Sequence, residues 1–351
     1  MSDLKAHHKD NSFINPWDSF RKEHAKTTVS IIGKTRKEPS KVDIAAIQLL
    51  AQRPNFDLAE PSWRETRRNV GVTWIGHCTF LLQMYGATVL TDPNWNAKAS
   101  SPFVFGGVKR LVPPPVAISE LPKIDAVVIT ADRSDKLDKA TIKELGNRCK
   151  YLVPLKVGSV VESCGISREN IIELDWWEEV SLGGVRFICC PAQHFSGATS
   201  MDNKSSSALW CSWAFIGVRA RVYYCGSTGY RIARRGQAFL PYKEREDIPA
   251  CPAFKEIGAK FGPFDLSFLP VANYTPRHMI SSLHIDPMDA TCLHRDLRSR
   301  QSVAHSWGTF NLGGEEDTLD SLRLLEQALM QVGVADSEFS VVHHGVTKIM
   351  Y

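Results

Sequence analysis

The residues of this chain best suited to chemistry stand just past short apolar runs. The run IDAVVIT (124–130) leads into Ala131, Asp132, Arg133, Ser134, Asp135, Lys136, Leu137 and Asp138, where carboxylates alternate with cations. Other phrases place His77 in GHC, Asp92 in LTDP, His194 in PAQHF, Ser227 in CGSTGY, His284 in HIDP, and His305 beside Ser306 in AHSWGTF. Histidine and aspartate at strand ends are the side chains that hold zinc, and a zinc-bound hydroxide is a nucleophile at neutral pH. Arginine and lysine in the same place do the opposite, repelling a metal and attracting phosphate. Each residue also has a purely structural use. A lone His77 or Asp92 at a strand end or turn satisfies backbone groups, and a lone His194 or His284 sits hydrogen-bonded in a core. Trp176 and Trp177 suit either a lipid groove or packing on a sheet edge.

These residues need strands to position them. From residue 71 onward, β-branched runs bounded by Gly, Pro or Asp (VTWI, TFLLQM, ATVLTD, DAVVIT, YLVPL, VRFICC, LWCSWAFI, RVYYCG) predict strands. Asp138 is expected to cap a helix over KATIKELGNR, and Asp317 one over TLDSLRLLEQALMQ that stops at Gly333. Strand meanders with interspersed helices predict two sheets, each covered on one face by helices. Residues 1–65 read as a polar N-terminal arm with one helix at 42–53, whose Ile44, Ile47, Leu49 and Leu50 are expected to share a face. Residues 66–351 read as the domain, with a surface insertion at 231–249.

Composition narrows the function classes. With 43% hydrophobic and 23% charged residues, the 351-residue chain reads as globular. A formal charge of +4 is too mild to point to nucleic acid, and leaves room only for a local basic patch. No apolar run is long enough for a membrane helix, and MSDLKAHHKD lacks the apolar stretch of a secretory signal. A cytoplasmic protein, peripheral at most on internal membranes, is therefore expected. The nine cysteines form no CxxC pair and are read as reduced thiols, with Cys189 in the core and Cys190 partly covered, or the reverse.

The phrases FINPW (13–17), GVTWIGHCTFLL (71–82), LTDPNW (90–95), AISELPKIDAVVIT (117–130), ELDWWEE (173–179), CPAFKEIGAKFGPFDL (251–266), HIDPMDA (284–290) and SWGTF (306–310) together resemble the N-acyl-phosphatidylethanolamine-hydrolysing phospholipases D, members of the metallo-β-lactamase superfamily. The resemblance covers most of the chain. It implies an α/β fold, the metallo-β-lactamase-like αββα sandwich, with two zinc ions at one edge and a membrane phospholipid as substrate.

It also implies where ligands should stand. The family reads S-H-x-H-x-D-H-L-D after the IDAVVIT strand, so ligand positions fall on Ala131, Arg133, Asp135 and Lys136. The next histidine is present as His194, the metal-bridging aspartate is replaced by Ser227, and the last histidine by Ser306. Only Asp135 and His194 remain in register, fewer than the three or four ligands zinc requires. Asp132 and His305 lie one residue out of register, which on extended chain turns the side chain to the opposite face.

The expectation is thus a relative without catalytic zinc, acting as a phospholipid-binding or regulatory module, with Asp135, His194 and His284 as remnants. Arg133, Lys136 and, at the pocket rim, Arg277 would meet an anionic phospholipid or phosphate head group; drift after metal loss explains the first two equally. An active phosphodiester hydrolase with a rearranged zinc site is the competing reading. A homodimer, or pairing with an active paralogue, is a further expectation.

Overall fold

The computed structural model describes residues 5–20, 38–58, 69–84, 86–101, 104–197, 207–237, 239–312 and 314–350. A short hairpin, β1 (His8–Lys9) and β2 (Ser12–Phe13), and helix α1 (Lys41–Leu50) precede the main body. Then come β3 (Val70–Gly76), β4 (Thr79–Met84) and β5 (Ala87–Thr91), followed by a separate ribbon of β6 (Lys98–Ser101) and β7 (Val104–Lys109). Parallel strands β8 (Ala126–Val128), β9 (Lys150–Pro154) and β10 (Ile171–Leu174) alternate with α2 (Lys139–Leu145) and α3 (Gly158–Glu162).

The second half opens with a meander, β11 (Glu179–Leu182), β12 (Val185–Cys190), β13 (Ser212–Ile216) and β14 (Arg221–Tyr224). It continues through α4 (Tyr242–Arg245), α5 (Ala253–Phe261), β15 (Leu266–Pro270), α6 (Arg277–Ile280), α7 (Pro287–Asp296), β16 (Gln301–His305), α8 (Asp320–Val332) and β17 (Phe339–Val341). Strand β18 (Thr347–Met350) returns to pair antiparallel with β3. Two seven-stranded sheets result, in the orders β10-β9-β8-β5-β4-β3-β18 and β11-β12-β13-β14-β15-β16-β17.

Alternation along β4 shows how the layers form. Phe80, Leu82 and Met84 enter the core between the sheets, where the rings of Phe80 and Phe268 lie 4.4 Å apart. Leu81, on the other face, packs with Val127, Ile142 and Val161 under α2 and α3. Because both faces of this sheet are covered, its strands read as continuous apolar runs rather than alternating ones. The expected αββα sandwich is the observed fold.

Local signals held where they concern the backbone. Asp138 caps α2 by accepting from Ala140 N at 3.1 Å, and α8 stops at Gly333, whose φ of 74° is left-handed. Asp317 does not cap α8, which begins at Asp320; the Asp320 carboxylate instead accepts from Asp317 N at 3.0 Å. In α1 only Ile47 is buried, while Leu49 and Leu50 face outward, so the expected shared face is not formed. All nine cysteines are buried free thiols, Cys189 and Cys190 both fully so, correcting the expectation that one would be partly covered. Segment 231–249 is likewise not wholly a surface loop: Arg234 and Arg235 are exposed, but Arg231 and Arg245 at its two ends are buried.

Candidate functional site

Five connections meet at one edge of the sandwich: the turn between β3 and β4, and the segments after β8, β12, β14 and β16. Backbone bonds lock them together. Ser306 N donates to His77 O at 3.0 Å, Cys211 N to Thr130 O at 2.8 Å, and Gly229 N to Gln193 O at 2.7 Å. Asp132 N donates to Ser196 Oγ at 2.8 Å. Asp92 supports the same edge: its oxygens accept from Thr130 N and Thr130 Oγ1, both at 2.7 Å, and from Tyr224 OH at 2.6 Å. Burial lifts its pKa to about 7, with Lys136 acting against the rise.

Lys136 lies at the centre of this edge with 0% of its side chain exposed. Its Nζ donates to Cys78 Sγ at 2.5 Å and lies 3.3 Å from Asp135 Oδ2. That carboxylate oxygen also lies 3.1 Å from His77 Nε2, and Oδ1 accepts from Arg133 Nε at 3.3 Å. Cys78 Sγ is further approached by Ser306 Oγ at 3.1 Å and His305 Nδ1 at 3.7 Å.

The charges are mutually dependent. Burial disfavours every one of them, yet Lys136 and Arg133 hold the Asp135 carboxyl well below its usual range. Cys78 and Asp135 raise the Lys136 ammonium above its ordinary value despite burial. Burial also opposes ionisation of Cys78, but His77, Lys136 and His305 bring its thiol well below the ordinary value. His77 is raised, Cys78 and the Asp135 hydrogen bond outweighing burial and Lys136. A closed ionic cluster of cysteine, lysine, aspartate and histidine occupies this edge. An ammonium in its midst repels a divalent cation, and Ala131 has no donor atom to offer one.

A family model described as a beta-lactamase superfamily domain matches residues 87–307, more than half of the chain. The chain belongs to the metallo-β-lactamase superfamily. It is 34% identical over 284 residues to the N-acyl-phosphatidylethanolamine-hydrolyzing phospholipase D 1 of Caenorhabditis elegans, covering 78% of this chain and 74% of that protein. It is also 34% identical over 319 residues to an uncharacterised protein of Mycobacterium tuberculosis, covering 89% and 77%. An isothiocyanate hydrolase from Delia radicum gut bacteria shares the fold, with a TM-score of 0.57 at 18% identity over 79% of this chain and 98% of that one.

The superfamily scaffold puts all the expected ligand positions on the same edge, and their contacts differ from what the sequence implied. His194 donates from Nδ1 to Leu283 O at 3.1 Å, which leaves the buried Nε2 lone pair without a partner. His284 stands edge-on to it, ring centroids 5.4 Å apart. Burial, the neighbouring His284 and Arg133 hold His194 far below its ordinary pKa, and burial and Arg133 bring His284 down to about 3, so both are neutral. Ser227 is buried, and Ser306 adopts φ 68° at the end of β16. His305, one residue out of register, packs beside the Phe80 ring, but its Nδ1 lies 2.9 Å from Ser306 Oγ and both approach Cys78, so it does not turn to the opposite face as expected, because Ser306 with φ 68° is not extended.

Two of the cations expected to meet a head group are taken up elsewhere. Lys136 is sealed inside the ionic cluster. Arg277, expected at a pocket rim, is buried: its Nη2 donates to Asp289 at 2.6 Å, its Nη1 to His284 O at 3.0 Å, and its Nε lies 3.3 Å from Asp286. Arg231 and Arg245 reach the same aspartates, so the segment 231–249 is clamped to α7 at both ends. The three-cation phosphate site is therefore not assembled. Arg133 remains, 18% exposed, with its guanidinium 4.6 Å from the Phe195 ring centre. Among the described residues, those lining a cleft of about 300 Å³ beside Ser306 include Glu316 and Asp317 and no cation, a lining unsuited to phosphate.

Trp176 is buried between His7, Trp17 and Trp210, and Trp177 packs on Phe261 beneath Lys260 Nζ, so neither lines a groove. Sequence reasoning missed Cys78 as the partner of Lys136. The available signal was a thiol directly after His77, but its partner lies 58 residues away. Among the described residues no helix is long and apolar enough to cross a membrane.

Proposed function

We propose that this chain is a non-hydrolysing relative of the phospholipases D that cleave N-acyl-phosphatidylethanolamine, serving as a binding or regulatory module. The observation that carries the reading is the fully buried Lys136 ammonium held between Cys78 and Asp135. Asp135, the carboxylate in register with a family ligand, already balances Lys136, Arg133 and His77, and a zinc ion there would have to displace all three. His194 and His284 keep neutral rings suited to a metal, but Arg133 stands beside them as a fixed positive charge. Without a metal, none of the described residues on this edge supplies what lowers the pKa of an attacking water from ~15.7 towards ~7.

The proposed ligand class is an anionic phospholipid head group, with Arg133 as its contact. A single charge-assisted contact of a partly exposed guanidinium contributes less than the ~1.5–3 kcal/mol of a shielded one, so weak, salt-sensitive binding is expected.

One experiment tests both parts. Vesicles containing N-acyl-phosphatidylethanolamine are incubated with the full chain, with and without added zinc. Release of phosphatidic acid should stay at the protein-free background. Sedimentation of the same vesicles should carry down the parent more than Arg133→Ala. Zinc-stimulated release that disappears in His194→Ala would overturn the non-hydrolysing reading; equal sedimentation of a folded Arg133→Ala would remove the head-group contact.

A further inference from the structure

Outside the edge just described, two imidazoles converge on one carboxylate. His7 Nε2 lies 2.7 Å from Asp175 Oδ1, and His8 Nε2 lies 2.7 Å from Asp175 Oδ2. All three ligand atoms fall within 4.8 Å of one another. Consecutive residues on extended chain point to opposite faces. Here the turn that precedes β1, closed by His8 N donating to Lys5 O at 2.9 Å, brings both rings to the same side.

The surroundings hold the set in place. His7 is buried and stacks on Trp176 with ring centroids 4.2 Å apart, and the Trp176 indole is fixed by donating to Trp210 O at 2.6 Å. Asp175 also accepts from Trp176 N at 2.8 Å. His8, with 34% of its side chain exposed, leaves one side open to water. Two imidazole nitrogens, one carboxylate and an open position make a ligand set for a borderline divalent cation.

We propose that His7, His8 and Asp175 form a mononuclear site for a divalent cation of the zinc class, which fastens the N-terminal segment to the turn after β10. The site shares no residue with the Lys136 cluster. Its consequence reaches that edge all the same. The segment it fastens continues to Asn15, whose Nδ2 donates to His194 O at 2.8 Å, and Ser19, whose Oγ donates to Gln193 Oε1 at 2.6 Å. A metal at Asp175 would therefore steady the loop that presents His194.

The test uses the full chain stripped with chelator and titrated with Co²⁺, then Zn²⁺. About one Co²⁺ per chain is expected, with visible d–d absorption that zinc abolishes, and tryptic cleavage after the exposed Lys9 should slow when zinc is bound. His8→Gln, which leaves the buried ring of His7 in place, and Asp175→Asn should each weaken binding by more than ~100-fold, beyond the 10–100-fold of lost supporting contacts. His194→Ala should bind as the parent does. Absence of any stoichiometric Co²⁺ binding, or undiminished binding in both His8→Gln and Asp175→Asn, would overturn the site. Binding lost in His194→Ala but kept in His8→Gln would overturn both this site and the non-hydrolysing reading, because the ion would then lie at the superfamily position.

Discussion

Lys136→Met is expected to destabilise the fold by about 3–5 kcal/mol, measured as a lowered denaturant midpoint by far-UV circular dichroism. Methionine matches the length of the lysine stem but removes the ammonium that faces Cys78 and Asp135. Those two acids are then buried with too little positive charge. Adding Cys78→Ala and Asp135→Asn should recover much of the loss, since the penalty belongs to unpaired charge rather than to lost packing, and the effects will be far from additive. Recovery would fail if Lys136 acted only as a space-filling stem.

The pH dependence follows in sign. Asp135 has a folded pKa below its unfolded value of ~3.9, so its contribution is complete above that value and is lost as pH falls through the folded pKa. Lys136 has a raised folded pKa, so its contribution is complete below ~10.4 and is lost only as pH rises through the higher folded value. The stability gap between parent and Lys136→Met should therefore narrow as pH is lowered below ~4.

The second large effect lies behind the site. Asp289→Asn is expected to cost about 3–5 kcal/mol, because Asp289 is fully buried and accepts from Arg277 at 2.6 Å, Arg231 at 3.0 Å and Arg245 at 3.4 Å. Asparagine keeps the shape and one acceptor oxygen but leaves Arg277 and Arg245 with Asp286 as their only carboxylate and Arg231 without the one it faces. Since Arg231 and Arg245 anchor the two ends of segment 231–249, faster tryptic cleavage at exposed Arg234 and Arg235 should accompany the loss. Burial opposes ionisation of Asp289, and the three arginines overcome it, holding the pKa below the ordinary value. The difference from the parent should thus shrink as the pH falls through that folded value. Unchanged stability and cleavage at neutral pH would mean that Asp286 alone suffices to hold the segment.

What the sequence determined by itself was local or patterned. Apolar runs between turn residues located the strands, and a carboxylate ahead of KATIKEL and a glycine after ALMQV marked a helix start and a helix end, because capping depends on neighbours a few residues away. The family phrases placed Ala131, Arg133, Asp135, Lys136, His194, Ser227 and Ser306 on connections at one edge of the sandwich, since those connections are fixed by the strand ends that the phrases contain.

Which charge faces which was decided only by tertiary structure. Lys136 and Arg277 looked alike as cations available to a ligand, but one meets a thiol from a strand turn 58 residues earlier, and the other a carboxylate on α7. His7 and His8 gave no local sign of a shared partner, because Asp175 lies 168 and 167 residues away and is brought to them only when the hairpin docks on the turn after β10. Spacing along the chain sets where a side chain points from its own element. What it meets, and so whether its charge is neutralised, sealed in or left open to a ligand, depends on how the elements pack.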